Sequence, residues 1–316
     1  MRYLVAVLSV FLSPSLTICA HSQSNPLPLG TWISNGSASC LGFQKDAVCE
    51  SLTISCPNAA AINVTVGTVT GTLGKSVMYA NGSEWATAGG SGYMTPLAKV
   101  GYTTVTAAFQ TAWQEGPGNL LTAACRPATL FNYVANGGQI AVIAASGGAG
   151  ALAYALSWYG AGSFVSAAFI TSGPVYSDEG LGCETPKADW VTVTPSDGEP
   201  WSSALNFEDG TQILLGTFTG QSCEPKKDTT STEYQTWEAQ SILAPGAAFP
   251  FLYVYAQLCS DAPLPNNSTG QASLWLTQMG AWVVGISGCS GSEGTTVGLT
   301  PELENAQTAL IAEVEG

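Results

Sequence analysis

The chain has 316 residues and a formal net charge of −14, with eight Lys and Arg against 22 Asp and Glu. So acidic a protein is a poor partner for nucleic acid or an anionic membrane. The length suits one large domain, or a core with an insertion, and is enough to bury a sizeable core without outside help.

In chain order, Arg2 precedes the apolar run Tyr3 to Leu12, and the small residues Cys19 and Ala20 follow. That is the layout of a secretory signal peptide over residues 1–20, too short to span a bilayer. No later run reads as a membrane helix, so an extracellular protein with no membrane contact is expected. Residues 21–60 are rich in Ser, Gly and Pro and hold Cys40, Cys49 and Cys56. They read as a disulfide-stapled segment with little regular structure. Ala61 to Val69 and Gly74 to Ala80 read as two strands of a hairpin or meander. Asn81 to Gly92 is a loop, and Tyr93 to Val100 a short helix closed by Gly101.

Tyr102 to Phe109 is β-branched and predicts a strand. Asn119 to Ala135 predicts a helix ended by Gly137-Gly138, and Gln139 to Ala144 an apolar strand. Leu152, Ala155, Leu156 and Tyr159 then recur at helical spacing, and Phe164 to Thr171 is a buried strand. From about 176 to 245 the pattern becomes polar and irregular, with Trp190, Trp201 and Trp237. This reads as an inserted cap clasped by Cys183 and Cys223. Phe249 to Gln257 resumes the sheet, Ser268 to Met279 is a helix, and Trp282 to Ser287 a last strand. Thr300-Pro301-Glu302 starts a final helix with a capping hydroxyl and proline in its first turn. Alternating apolar strands and helices predict an α/β fold: a mostly parallel, doubly wound sheet over 61–316 with the cap inserted.

Of nine cysteines, Cys19 would leave with the leader, and the even remainder implies disulfides. One histidine in the whole chain and no paired C-x-x-C spacing argue against a metal site. No cofactor motif stands out. Glycosylation acceptors start at Asn35, Asn63, Asn81, Asn266 and Asn267, although such triplets also arise by chance.

Ala144-Ala145-Ser146-Gly147-Gly148 joins a predicted strand to a predicted helix. Small residues flank a serine there, as a sharp turn with near-touching backbones requires. On this motif and the order of elements over 70–314, the chain resembles the α/β-hydrolase superfamily. Within it, the chain looks like a group of secreted microbial proteins with an Asn-Ser-Gly-Gly turn, Ala145 standing in for the Asn. The resemblance implies Ser146 as nucleophile and the N–H of Gly147 as oxyanion donor. Gly82, in the loop after an early strand, would be the second donor, in competition with a glycosylated turn at Asn81. The matching acid position is Asp261, against an ordinary turn aspartate before Pro263. A Cys259–Cys289 disulfide would brace the acid loop against the base loop.

The superfamily places a histidine after the last strand, and this chain has Ser290, Ser292 and Glu293 instead. The only histidine is His21, at the edge of the leader. Glu293 can act as base if burial or the neighbouring Asp261 raises its pKa. Sedolisin-type peptidases use a Ser-Glu-Asp set on another fold, an analogy only. The bland reading of Glu293 is a solvated loop residue. Lys45, Lys75, Lys99, Lys187, Lys226 and Lys227 offer a Ser-Lys pair in principle. The expected activity is hydrolysis of an ester or related acyl bond in a small or polymeric substrate. The alternatives are a ligand-binding protein without catalysis, and an isomerase or lyase on the same fold. Oligomeric state is not legible in the sequence.

Overall fold

The computed structural model describes residues 25–82, 85–116, 119–145 and 147–171. Beyond these it describes 230, 232, 235, 239–244, 246–247, 253–258, 275 and 282–285. The expected leader, nearly all of the expected cap and the expected final helix lie outside the described residues. So do the half-cystines of the two predicted pairs, Cys183–Cys223 and Cys259–Cys289.

Among the described residues, nine strands form one sheet in the order β1-β2-β3-β5-β4-β6-β7-β8-β9. They are β1 (Thr31–Ser37), β2 (Val48–Ser55), β3 (Ile62–Val69), β4 (Ser76–Ala80), β5 (Thr103–Phe109), β6 (Ile140–Ala145), β7 (Val165–Thr171), β8 (Tyr253–Leu258) and β9 (Trp282–Gly285). From β5 to β9 every pair is parallel, while β1, β2, β3 and β5 pair antiparallel. The helices are α1 (Ser91–Lys99), α2 (Leu120–Ala123), α3 (Cys125–Ala135) and α4 (Gly147–Trp158).

β4, β6 and β7 alternate between two cores, as helices on both faces demand. Met78, Ala80, Val142, Ala144, Ala168 and Ile170 face the larger core with α3 and α4. Val77, Tyr79, Ala141, Ile143, Ala167 and Phe169 face the smaller one, with Met94 and Leu97 of α1. The sequence assigned α4 a single apolar face. Gly147 through Ser157 are all buried, because Gly and Ala make the helix thin enough to be enclosed on every side. Trp275 packs into the same core, and its Nε1 donates to Ser157 Oγ at 2.9 Å. Near the end of the predicted cap, Ile242 joins this core, and Leu120 N donates to Gln240 Oε1 at 3.2 Å.

Three local expectations are corrected. Residues 21–60 are not without regular structure, since β1 and β2 extend the sheet as an antiparallel pair. β1 is exposed along its whole length, so selection for burial leaves no apolar alternation to read. The segment is stapled, by Cys40–Cys49 and, into α3, by Cys56–Cys125. Secondly, β3 and β4 are not hairpin partners, because β5 lies between them. Thr72 N and Leu73 N both donate to Gly101 O, at 2.8 and 2.9 Å, which pins the β3–β4 connection onto the approach to β5. The predicted helix 119–135 is split at Ala124 into α2 and α3, and Asn119 Oδ1 caps α2 by accepting from Thr122 N at 3.0 Å.

Arg126 is buried in α3 and anchors the elements around it. Its guanidinium donates to Trp113 O at 2.9 Å, Glu115 O at 2.5 Å and Ala60 O at 2.8 Å. Desolvation holds its pKa below the ordinary arginine value, and the charge of Glu115 partly opposes that.

Candidate functional site

The chain runs from β4 through α1 to β5 on one side, then returns through α2 and α3 to β6 on the other side of β4. Such a reversal opens a crevice at the carboxyl ends of the two diverging strands, here β4 and β6. Ala80 pairs with Ala144, so both strands finish at the same level. β6 ends at Ala145 and α4 begins at Gly147, which leaves one residue, Ser146, for the whole strand-to-helix turn. Ser146 itself lies outside the described residues, but both its flanks are described.

The size of residue 148 is set by this crossing. A Cβ at Gly148 would collide with Ala80 O and lie 2.6 Å from Asn81 O. Backbone cannot yield as a flexible side chain can, so only glycine lets α4 start this close to the end of β4. Gly147, the predicted oxyanion donor, is buried in the first turn of α4. An N–H at that position has no partner within its helix.

The loop after β4 forms the other wall. Gly82 is partly exposed, and its N–H donates to Asn81 Oδ1 at 2.8 Å. Asn81 Nδ2 donates in turn to Thr87 O at 2.7 Å and Thr87 Oγ1 at 3.0 Å. Trp85 is fully buried with φ 54°, its ring edge-on to Phe109 at 5.2 Å and 5.8 Å from Phe131. Trp85 N donates to Gly82 O at 3.0 Å, and Phe109 N donates to Trp85 O at 2.9 Å. Gly90 takes φ 82° directly beneath the Tyr79 ring, where a Cβ could not fit. The loop is therefore anchored at Asn81, Trp85 and Gly90. Sequence reasoning marked it as a loop but missed these anchors; the pairing of Asn81 with Gly89-Gly90 was the available signal.

The described lysines do not meet the turn. Lys75 precedes β4, so it stands at the opposite edge of the sheet from Ala80. At about 3.3 Å per residue, the length of β4 separates the two by roughly 17 Å. Lys99 ends α1, which returns to that same far edge before β5. Lys45 lies in the Cys40–Cys49 loop, which folds Phe43 over Gly67 and Gln44 onto Thr104. Tyr79, near the end of β4, is held as a neutral phenol because burial, and then its neighbour Tyr93, push its pKa up. Lys187, Lys226, Lys227 and His21 lie outside the described residues.

Asp261 and Glu293 lie outside them as well. In sequence they follow β8, which ends at Leu258, and β9, which ends at Gly285. Both strands run parallel to β6, so their ends share its edge of the sheet. Of the sequon asparagines, Asn35 and Asn63 stand exposed on β1 and β3 and share the Thr53 hydroxyl. Asn35 Nδ2 donates to Thr53 Oγ1 at 3.0 Å, which donates to Asn63 Oδ1 at 2.7 Å. Asn266 and Asn267 lie outside the described residues.

The same architecture occurs in solved enzymes. Acetyl xylan esterase 1 from Thermoanaerobacterium sp. JW/SL YS485 matches with a TM-score of 0.54 at 12% identity, over 91% of this chain and 89% of that one. Candida antarctica lipase A in its closed state matches with a TM-score of 0.50 at 13% identity, over 90% of this chain and 81% of that one. At these identities the likeness is one of fold, and the fold is the α/β-hydrolase type. No protein-family model matches the sequence, and neither does any curated protein.

Proposed function

We propose that the protein is an exported serine hydrolase that cleaves an ester or related acyl bond without a histidine base. The observation that carries the reading is the one-residue turn between β6 and α4, set at the switch point with Gly148 against the backbone of β4. A serine in such a turn is held above the sheet, beside unpaired N–H groups at the start of a helix. In this reading Ser146 Oγ attacks the acyl carbon, and the Glu293 carboxylate takes its proton. Asp261 is the neighbour that would raise the proton affinity of Glu293 in this reading. The N–H of Gly147 stabilises the oxyanion of the tetrahedral intermediate. That of Gly82 joins it once Asn81 Oδ1 gives way. Collapse expels the alcohol, which recovers the proton from Glu293, and water then releases the acid by the same route.

The fold likeness to an acetyl xylan esterase and a lipase supports the acyl-bond class. The leader-like N-terminus, two disulfides and the sequons support export and glycosylation. A carboxylate takes the proton only when ionised, so the reaction is expected to fail as falling pH protonates Glu293.

A second reading is a binding protein that keeps the crevice without the chemistry. The single histidine, His21, favours it. An oxyanion hole with binding alone leaves about 10³–10⁴-fold acceleration when a triad member is lost. A fluorophosphonate probe applied between about pH 3 and 8 separates the two. The hydrolase reading expects labelling that Ser146→Ala abolishes and Glu293→Gln sharply reduces. Folded protein that takes no label at any pH supports the binding reading.

A further inference from the structure

We infer that Asn81 is a positioning residue of the acyl site, and that its sequon carries no glycan in the folded protein. The inference rests on the reading of the loop after β4 as one wall of that site. Asn81 follows directly on Ala80, the last residue of β4, and its own backbone carbonyl lies where α4 crosses at Gly148. Its side chain is engaged at both ends. The carbonyl Oδ1 accepts from Gly82 N–H at 2.8 Å, and the amide Nδ2 donates to Thr87 O and Oγ1 at 2.7 and 3.0 Å. One planar group therefore joins the start of the loop to a residue six positions on.

On the Gly89 side the loop leaves no spare room beside this side chain. A Cβ at Gly89 would sit 2.5 Å from Asn81 Oδ1 and 2.9 Å from Nδ2. A sugar replaces one amide hydrogen of Nδ2, and that nitrogen already donates to Thr87 O and Oγ1. A glycan would break that brace and crowd the Gly89 backbone. Asn35 and Asn63 differ in exposure, since both stand in water on the outer strands. Their amides also donate, Asn35 Nδ2 to Thr53 Oγ1 and Ser51 Oγ and Asn63 Nδ2 to Gln110 Oε1, but only to side chains, whereas Asn81 braces the backbone carbonyl of Thr87.

The brace also determines what Gly82 can do. Asn81 Oδ1 is the resident acceptor of the Gly82 N–H. An incoming acyl oxygen would take over that donor by exchanging one hydrogen bond for another. The Thr87 end stays made during the exchange, so the loop keeps its shape while the donor changes partner.

The test uses the full-length secreted protein from a glycosylating host, with Asn81→Ala and Asn81→Asp. Glycopeptide mapping should find Asn81 bare and at least one of Asn35 and Asn63 occupied; sugar on Asn81 overturns the proposal. Residue-resolved hydrogen exchange should show the Gly82 amide exchanging about tenfold faster in Asn81→Ala, the factor for one lost hydrogen bond. In Asn81→Asp the protection should persist, because Oδ1 remains. Fluorophosphonate labelling per folded molecule should fall about tenfold in both variants, since both lose the Thr87 end. A merely structural role would not separate exchange from labelling in this way. Unchanged Gly82 exchange in Asn81→Ala, or unchanged labelling in both variants, overturns the assignment. If the parent takes no label, the acyl-site reading fails by itself, and mapping and exchange still decide the role of Asn81.

Discussion

Gly148 shows how much of this site is a matter of a single missing atom. The obstacle to a Cβ is the backbone of Ala80 and Asn81, not the far end of a side chain. Gly148→Ala is therefore expected to cost about 1–3 kcal/mol by overpacking, measured by chemical denaturation. It should also displace the start of α4 and slow labelling of Ser146 in the fraction that folds. Arg126 is the opposite case, a large polar group that cannot be removed. Arg126→Ala leaves Trp113 O, Glu115 O and Ala60 O without their donor. A loss of roughly 3 kcal/mol is expected in the same measurement. The small-x-Ser-x-small pattern was legible because the physics is local: strand, turn and helix are consecutive. The Asn81 brace was not, because Asn81, Thr87 and Gly89 form a unit only once the loop has folded around Trp85.

Elements were legible in proportion to their burial. β5, β6 and β7 are buried along most of their length, and the β-branched run of β5 and the apolar runs of β6 and β7 announced them. β1 was missed because an edge strand in contact with water carries Ser, Thr and Asn, as loops do, and β2, one strand further in, buries only Cys49, Leu52 and Ile54. Pairing was harder than existence. β3 and β4 adjoin in sequence, yet β5 separates them, a long-range arrangement that alternation cannot encode. What holds these outer strands is testable. Cys56–Cys125 ties the end of β2 to the start of α3 across a separation of 69 residues. Replacing both cysteines with Ser should remove about 4 kcal/mol, read as a lowered denaturation midpoint of the oxidised protein. Trp85 does the same for the loop after β4, with its ring against Phe109 and Phe131. Trp85→Ala should cost about 3–5 kcal/mol and loosen Gly82 with it.

For the molecule as a whole, the topology creates the crevice and the sequence decides what it can do. Alternating elements predicted the parallel sheet, and the order of β5, β4 and β6 places a switch point at the end of β6. The acid and base positions were read from strand order alone, and both lie outside the described residues. Stability should decline in alkali. Burial raises the pKa of Tyr79, Tyr133 and Tyr159 above the ordinary 10.0, with the Glu50 hydrogen bond adding to it at Tyr133. A raised phenol pKa stabilises the fold fully below the unfolded value, and that contribution is lost as pH rises toward the folded one. Denaturant unfolding at pH 8 and at about pH 11 should show the loss, and Tyr159→Phe should reduce it.

The central claim is that one serine, standing alone in its turn with no imidazole to serve it, is nevertheless the reactive group. The direct measurement is peptide mass mapping of the folded protein after fluorophosphonate treatment. The account predicts a single adduct, on the peptide that carries Ser146. An adduct on any other residue, or none from folded protein anywhere in the accessible pH range, contradicts it.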